Sequence, residues 1–229
     1  MSENKITGFE LSPQQKRCWN LRVGDTHPIS VLTVKLNLKL DKEQLTLSIA
    51  KVLSRHDILR TVFLSYEGLA FPLQKVGDEA SALPNFTDAE NLSSEEKEKA
   101  LRSFLQTEAR LFWDLEKAHN LSIEILQYEA ENNYFKICCP SLVADTYSLQ
   151  LVLFELLTIY LEQTETLSSL EDLLQYGDYA SWQNELIQSP DEEVQLFLQK
   201  YNYKEHLYRT PFVFESRSKE HQELSLIHI

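Results

Sequence analysis

The sequence predicts an α/β fold: a two-layer sandwich in which helices cover a mixed β-sheet. Three observations carry that expectation. Some segments alternate apolar and polar residues, as a half-buried strand does, while others repeat apolar residues at helical spacing. The two kinds of segment are interleaved along the chain. Several helical segments are preceded by a capping Ser or Asp.

The elements follow in order. Ser12 reads as an N-cap, with Pro13 at the first helical position and Gln15 returning the cap, so a short helix runs to about Arg22. Residues 31–40, VLTVKLNLKL, place Leu32, Val34, Leu36, Leu38 and Leu40 on one side of a strand and Thr33, Lys35, Asn37 and Lys39 on the other. Asp41 caps the next helix, whose apolar stripe is Leu45, Ile49, Val52 and Leu53. Residues 60–66 and 70–76 read as a strand pair around Gly68, and 77–92 as a polar connection. Ser93 with Glu96 opens a helix to about Phe112. Residues 120–128 and 134–139 form a hairpin turning near Asn132 and Asn133. The helix from about Thr146 to Gln163 is apolar nearly all round, which predicts burial on every side. Helices near 176–188 and 190–203 follow, the second started by Ser189, Pro190 and Glu192.

Composition narrows the function. A 229-residue chain with 43% hydrophobic residues can bury a real core. Its net charge of −13 argues against binding nucleic acid through the whole surface, because phosphates need Lys and Arg. No stretch reaches about 18 apolar residues without charge, so no membrane span is expected. The opening residues, MSENKITGFE, lack an apolar signal core, and the expected location is cytoplasmic.

Three cysteines make no disulfide framework. Cys138 and Cys139 are adjacent, so a strand would point them to opposite faces; Cys139 shares its face with Phe135 and Ile137 and reads as a small buried hydrophobe. The six histidines (His27, His56, His119, His206, His221, His228) show no H-x-x-x-H spacing, and no metal site is expected. A Gly-rich phosphate loop and a G-x-S-x-G elbow are both missing.

Four segments, in order, carry a resemblance. They are LSPQQKRCWNL at 11–21, RHDILRTVF at 55–63, KICCPSLVAD at 136–145 and YGDYASWQ at 176–183. Together they resemble the motifs of condensation domains of nonribosomal peptide synthetases, over about residues 9–205. The resemblance implies one lobe of a chloramphenicol-acetyltransferase-like fold. It implies amide-bond formation between thioesters held by acyl or peptidyl carrier proteins. The cofactor would be the phosphopantetheine of those carriers, with none bound directly, and the parent would be a larger synthetase. It also implies structural roles for Arg55, Arg60, Asp145 and Trp182. Arg60 is expected to pair with Asp145, a bidentate contact that would cost about 3–5 kcal/mol to break if buried. On residue type alone, Trp182 and Trp19 read as core anchors.

The third segment departs from the pattern. The family motif is His-His-x-x-x-Asp-Gly; Asp145 matches its aspartate, but Pro140 and Ser141 stand at the histidine positions and Thr146 at the glycine. A serine hydroxyl makes hydrogen bonds but does not hold a proton at neutral pH, so the usual general-base help, about 10²–10⁴-fold, is expected to be missing. Two function classes follow. One is an impaired condensation-like enzyme with Ser141 at the catalytic position. The other is a non-catalytic domain that docks carrier proteins or recruits a partner. A CoA-dependent acyltransferase of the same fold is a weaker third. The resemblance also divides the chain: an N-terminal lobe over 1–205, the start of a linker to a second lobe over 206–223, and a tail, LSLIHI, at 224–229 that resembles a translated sequencing adaptor.

Overall fold

The computed structural model describes residues 8–77, 83–106, 110–117, 120–162, 173–189 and 192–201. The chain forms two units, residues 1–188 and 189–229. Among the described residues, the first holds two sheets. A three-stranded antiparallel sheet has the order β1 (Phe9–Glu10), β4 (Leu73–Val76), β3 (Thr61–Leu64). A five-stranded sheet has the order β5 (Asn85–Asp88), β7 (Ser122–Glu129), β8 (Asn132–Pro140), β2 (Thr26–Leu36), β6 (Arg110–Phe112). β5 runs parallel to β7 and the other pairs are antiparallel, so this sheet is mixed as expected.

The described helices of this unit are α1 (Pro13–Asn20), α2 (Lys42–Arg55), α3 (Ser94–Leu105), α4 (Thr146–Glu162) and α5 (Tyr176–Gln188). Their starts follow the capping chemistry. Ser12 with Gln15 and Ser93 with Glu96 both form complete capping boxes, and Asp41 accepts the Gln44 N–H. One core cluster joins the stripe of α2 (Leu45, Ile49, Val52, Leu53) to the inner face of the sheet (Ile123, Ile125, Phe135, Ile137) and to Leu149, Leu153 and Leu156 of α4.

Strand alternation sends Leu126 to the opposite face, where α3 closes a small cluster around Phe104 and Ala89. Lys136 on that face is buried. Its Nζ binds Glu124 at 2.7 Å and the last-turn carbonyl of Phe104 at 3.0 Å, which ties α3 to the sheet.

Four expectations change. The strand placed at 31–40 is β2 at Thr26–Leu36, because β8 and β6 give hydrogen-bond partners to residues 26–36; Leu38 and Leu40 still pack on the core from outside the strand. The polar connection at 77–92 contains β5, whose ladder to β7 a sequence pattern cannot display. The helix expected to reach Phe112 ends at Leu105, and β6 follows. α4 is buried on one side only: Tyr147, Leu151, Phe154 and Leu161 form an exposed stripe. The second unit contains α6 (Glu192–Tyr201). Residues 202–229, with the expected linker and tail, lie outside the described residues.

Candidate functional site

The turn between β8 and α4 is built by the backbone. The N–H groups of Val143 and Ala144 both reach the Pro140 carbonyl, at 2.8 and 3.4 Å. The Ser141 N–H donates to the Pro28 carbonyl at 2.9 Å, pinning the turn to β2. The Ser141 hydroxyl lies 3.0 Å from the hydroxyl of buried Ser30. At that distance one hydroxyl donates to the other, and neither is a base at neutral pH.

Among the described residues, Asp145, Cys138 and Cys139 supply no base there either. Asp145 caps α4, with Oδ1 accepting the Ser148 N–H at 2.7 Å; that bond holds its carboxyl below the ordinary range. Burial pushes the Cys139 thiol up to about 12 and the Cys138 thiol up to about 11, so both stay protonated at neutral pH. Cys139 packs in the core as expected, its Sγ 3.6 Å from the Ala144 carbonyl.

The segment after α2 carries the second motif. A short 3₁₀ turn, Asp57–Arg60, leads into β3. The expected Arg60–Asp145 pair does not form. Arg60 binds Asp57 Oδ1 at 2.5 Å through Nη2 and the Gly77 carbonyl at 2.9 Å through Nη1. Asp145 is exposed and serves as a cap. The local reason is spacing: Asp57 stands three residues before Arg60 on the same turn, so a carboxylate is already in reach.

Arg55 instead crosses to α4, its Nε 2.5 Å from Glu155 Oε1, while His56 Nε2 lies 2.6 Å from Oε2. Burial raises the Glu155 carboxyl, but the His56 hydrogen bond and the charges of His56 and Arg55 outweigh it and hold the group below its ordinary value.

A family model for the condensation domain matches residues 5–197. The chain belongs to the condensation-domain family. It is 33% identical over 193 residues to a linear gramicidin synthase of Brevibacillus parabrevis, and 29% identical over 184 residues to tyrocidine synthase 3 of the same organism. These matches cover 81% and 79% of this chain but only 2% and 3% of those synthases. The condensation domain of a monacolin K polyketide synthase superposes with a TM-score of 0.68 at 18% identity, over 90% of this chain and 44% of that one. The X-domain from teicoplanin biosynthesis superposes with a TM-score of 0.67 at 19% identity, over 88% and 44%. The chain therefore spans less than half of these solved structures, and at such identities the likeness shows the fold.

In this condensation domain the fourth motif closes the unit. Before α5, the Gln175 side chain accepts the Asp57 N–H at 3.0 Å and donates to the Arg55 carbonyl at 3.0 Å. The Tyr176 hydroxyl lies 2.8 Å from Ser12 Oγ, and Asn184 donates to the Leu11 carbonyl at 3.1 Å. Trp182 is no core anchor: it is 57% exposed, and its ring meets Tyr179 at 5.9 Å between centroids. Trp19 is half-buried and packs against the core.

Sequence reading missed Glu155, Gln175 and Ser30. Glu155 left a signal, being the single charged residue of 146–161. Ser30 left none, because only strand pairing brings it to Ser141. Among the described residues, no cluster of His, Cys, Asp and Glu could hold a metal, and no helix is long and apolar enough to cross a membrane.

Proposed function

We propose that this chain is the N-terminal lobe, residues 1–205, of a cytoplasmic nonribosomal peptide synthetase condensation domain with impaired amide-bond chemistry. Residues 206–223 would begin the link to a second lobe. The partners would be acyl or peptidyl carrier proteins presenting thioesters on phosphopantetheine. The observation that carries the reading is the Ser141 hydroxyl, bound to Ser30 at the motif-histidine position of a family turn.

In an intact condensation domain an amine attacks a thioester carbonyl, and the amide forms as the carrier thiol leaves. The attacking amine must lose a proton. Here Asp145 is engaged as a cap with a lowered pKa, and both cysteines are held as thiols. What this lobe retains is the scaffold: Arg55 on Glu155, Arg60 on Asp57, and a turn held at three backbone points.

The test is thioester condensation by the complete synthetase carrying Ser141→Ala. The expected rate equals the parent's; a loss of about tenfold or more would make Ser141 a working group and overturn the reading.

A second reading has its own support. The X-domain from teicoplanin biosynthesis shares this fold and was solved in complex with OxyB, so a domain of this fold can bind a protein partner. If this chain's parent docks carriers or recruits a partner in the same manner, carrier binding will persist in the Ser141→Ala synthetase with no amide product in either protein.

A further inference from the structure

The exposed face of α4 has an order of its own. Tyr147, Leu151, Phe154, Thr158 and Leu161 follow one another at alternating steps of four and three residues, the a and d spacing of a coiled-coil seam. Tyr147 is 68%, Leu151 54%, Phe154 73% and Leu161 63% exposed. Thr158 fits the row because its hydroxyl donates to the Phe154 carbonyl at 2.9 Å, which settles its polar group within the helix.

The chemistry of the face decides its occupant. α4 has no Lys or Arg, and Glu155, the single charged residue of 146–161, is held by Arg55 and His56. A helix that lies on a membrane surface has a broad apolar face bordered by Lys and Arg. Here the row is narrow, with Ser148, Gln150 and Glu155 beside it, and the net charge of −13 opposes anionic lipid. A charged partner would find no counter-charge. A second α4 would find an identical uncharged seam, so two acidic copies can meet here without setting like charges face to face. The four large side chains expose on the order of 600 Å², so two copies would remove about 1,200 Å² from water, the lower end of what a specific interface needs.

Direction follows from size and charge. Parallel copies would set Tyr147 on Tyr147 and Phe154 on Phe154, with the exposed Asp145 carboxylates at one level. Antiparallel copies set Leu151 against Phe154 and Thr158 against Tyr147, a smaller side chain facing an aromatic one at each level. They also oppose the helix dipoles and keep the Asp145 carboxylates apart.

We propose that α4 pairs antiparallel with α4 of a second copy of this chain about a two-fold axis, Leu151 packing on Phe154 and Tyr147 on Thr158 of the second copy. This contact is separate from the turn at Ser141 and stands whether or not that turn performs any condensation.

The test is disulfide trapping of the 229-residue chain under mild oxidation, with the parent as the blank for Cys18. Mixed Leu151→Cys and Phe154→Cys chains should cross-link, as should mixed Tyr147→Cys and Thr158→Cys chains, each at least about fivefold above either variant alone. Tyr147, Leu151 and Phe154 are exposed, so their variants keep the fold. Leu186→Cys, at an exposed apolar position of α5, should cross-link with none of them. Raising NaCl from about 50 to about 500 mM should increase the trapped fraction about twofold, because salt screens the repulsion between two acidic chains. Dominant cross-linking of Phe154→Cys alone would mean parallel pairing and overturn the proposal. Trapping that ignores concentration, that falls with salt or that extends equally to Leu186→Cys would overturn it too, as would monomeric Phe154→Cys bound to anionic vesicles. In the complete synthetase, a Phe154→Cys thiol that a maleimide does not reach in the monomer would assign the face to another part of the polypeptide, with the same result.

Discussion

Glu155 is where the ion pairing between α2 and α4 converges, with Arg55 on one oxygen and His56 on the other. Its side chain is 17% exposed, so Glu155→Gln leaves a half-buried guanidinium without its carboxylate and should cost about 2–4 kcal/mol in a denaturant melt. The pH dependence has a definite sign. A carboxyl lowered by folding adds stability above its unfolded pKa, and that stability is lost as pH falls through the lowered folded value. Stability of the parent should therefore fall below about pH 4.5, the ordinary value for this group, and Glu155→Gln should fall less over the same window. The arginine and aspartate of the two motifs make a sharper test. Arg60 and Asp145 do not touch, so their alanine variants should add in a double-mutant cycle, whereas Arg60→Ala and Asp57→Ala should not. Asp145→Ala alone should cost about 1 kcal/mol, the effect of a lost cap.

At the scale of elements, α5 approaches β1 so closely that residue 177 must be glycine. A Cβ there would lie 2.9 Å from the Phe9 ring, so Gly177→Ala should cost about 1–3 kcal/mol in a thermal melt, while Ala at exposed Gly68 should fail through its positive φ instead. Helix starts were legible in the sequence because caps are local: Ser12, Asp41 and Ser93 each act within three residues. Strand limits were less legible because partners set them. β2 extends back to Thr26 only through β6 and β8, and β5 exists only through β7. The sidedness of α4 was hidden for a related reason: its sequence is apolar on both faces, and only packing distinguishes Leu149 from Phe154. For the site, the position of Ser141 was legible by alignment of spacing, while its partner Ser30 and the partner of Arg55 were tertiary facts.

At the scale of the molecule, the exposed stripe of Tyr147, Leu151, Phe154 and Leu161 is a row of large apolar side chains open to water. The isolated chain should associate as its concentration rises, and Phe154→Lys should reduce that association in sedimentation velocity; a parent that stays monomeric at every concentration would count against it. The stripe belongs to a unit that the chain closes on itself. Gln175 clasps Arg55 and Asp57 across 120 and 118 residues, Tyr176 reaches Ser12 across 164, and Asn184 reaches Leu11 across 173. Emergence from a ribosome is sequential, so the Ser12 hydroxyl and the Leu11 carbonyl must wait for α5 before these long-range bonds form. The same closure sets where this lobe can be spliced into a hybrid assembly line: a junction between 162 and 175 would strip Leu11 and Ser12 of their α5 partners, and one placed after Gln188 would carry them across intact.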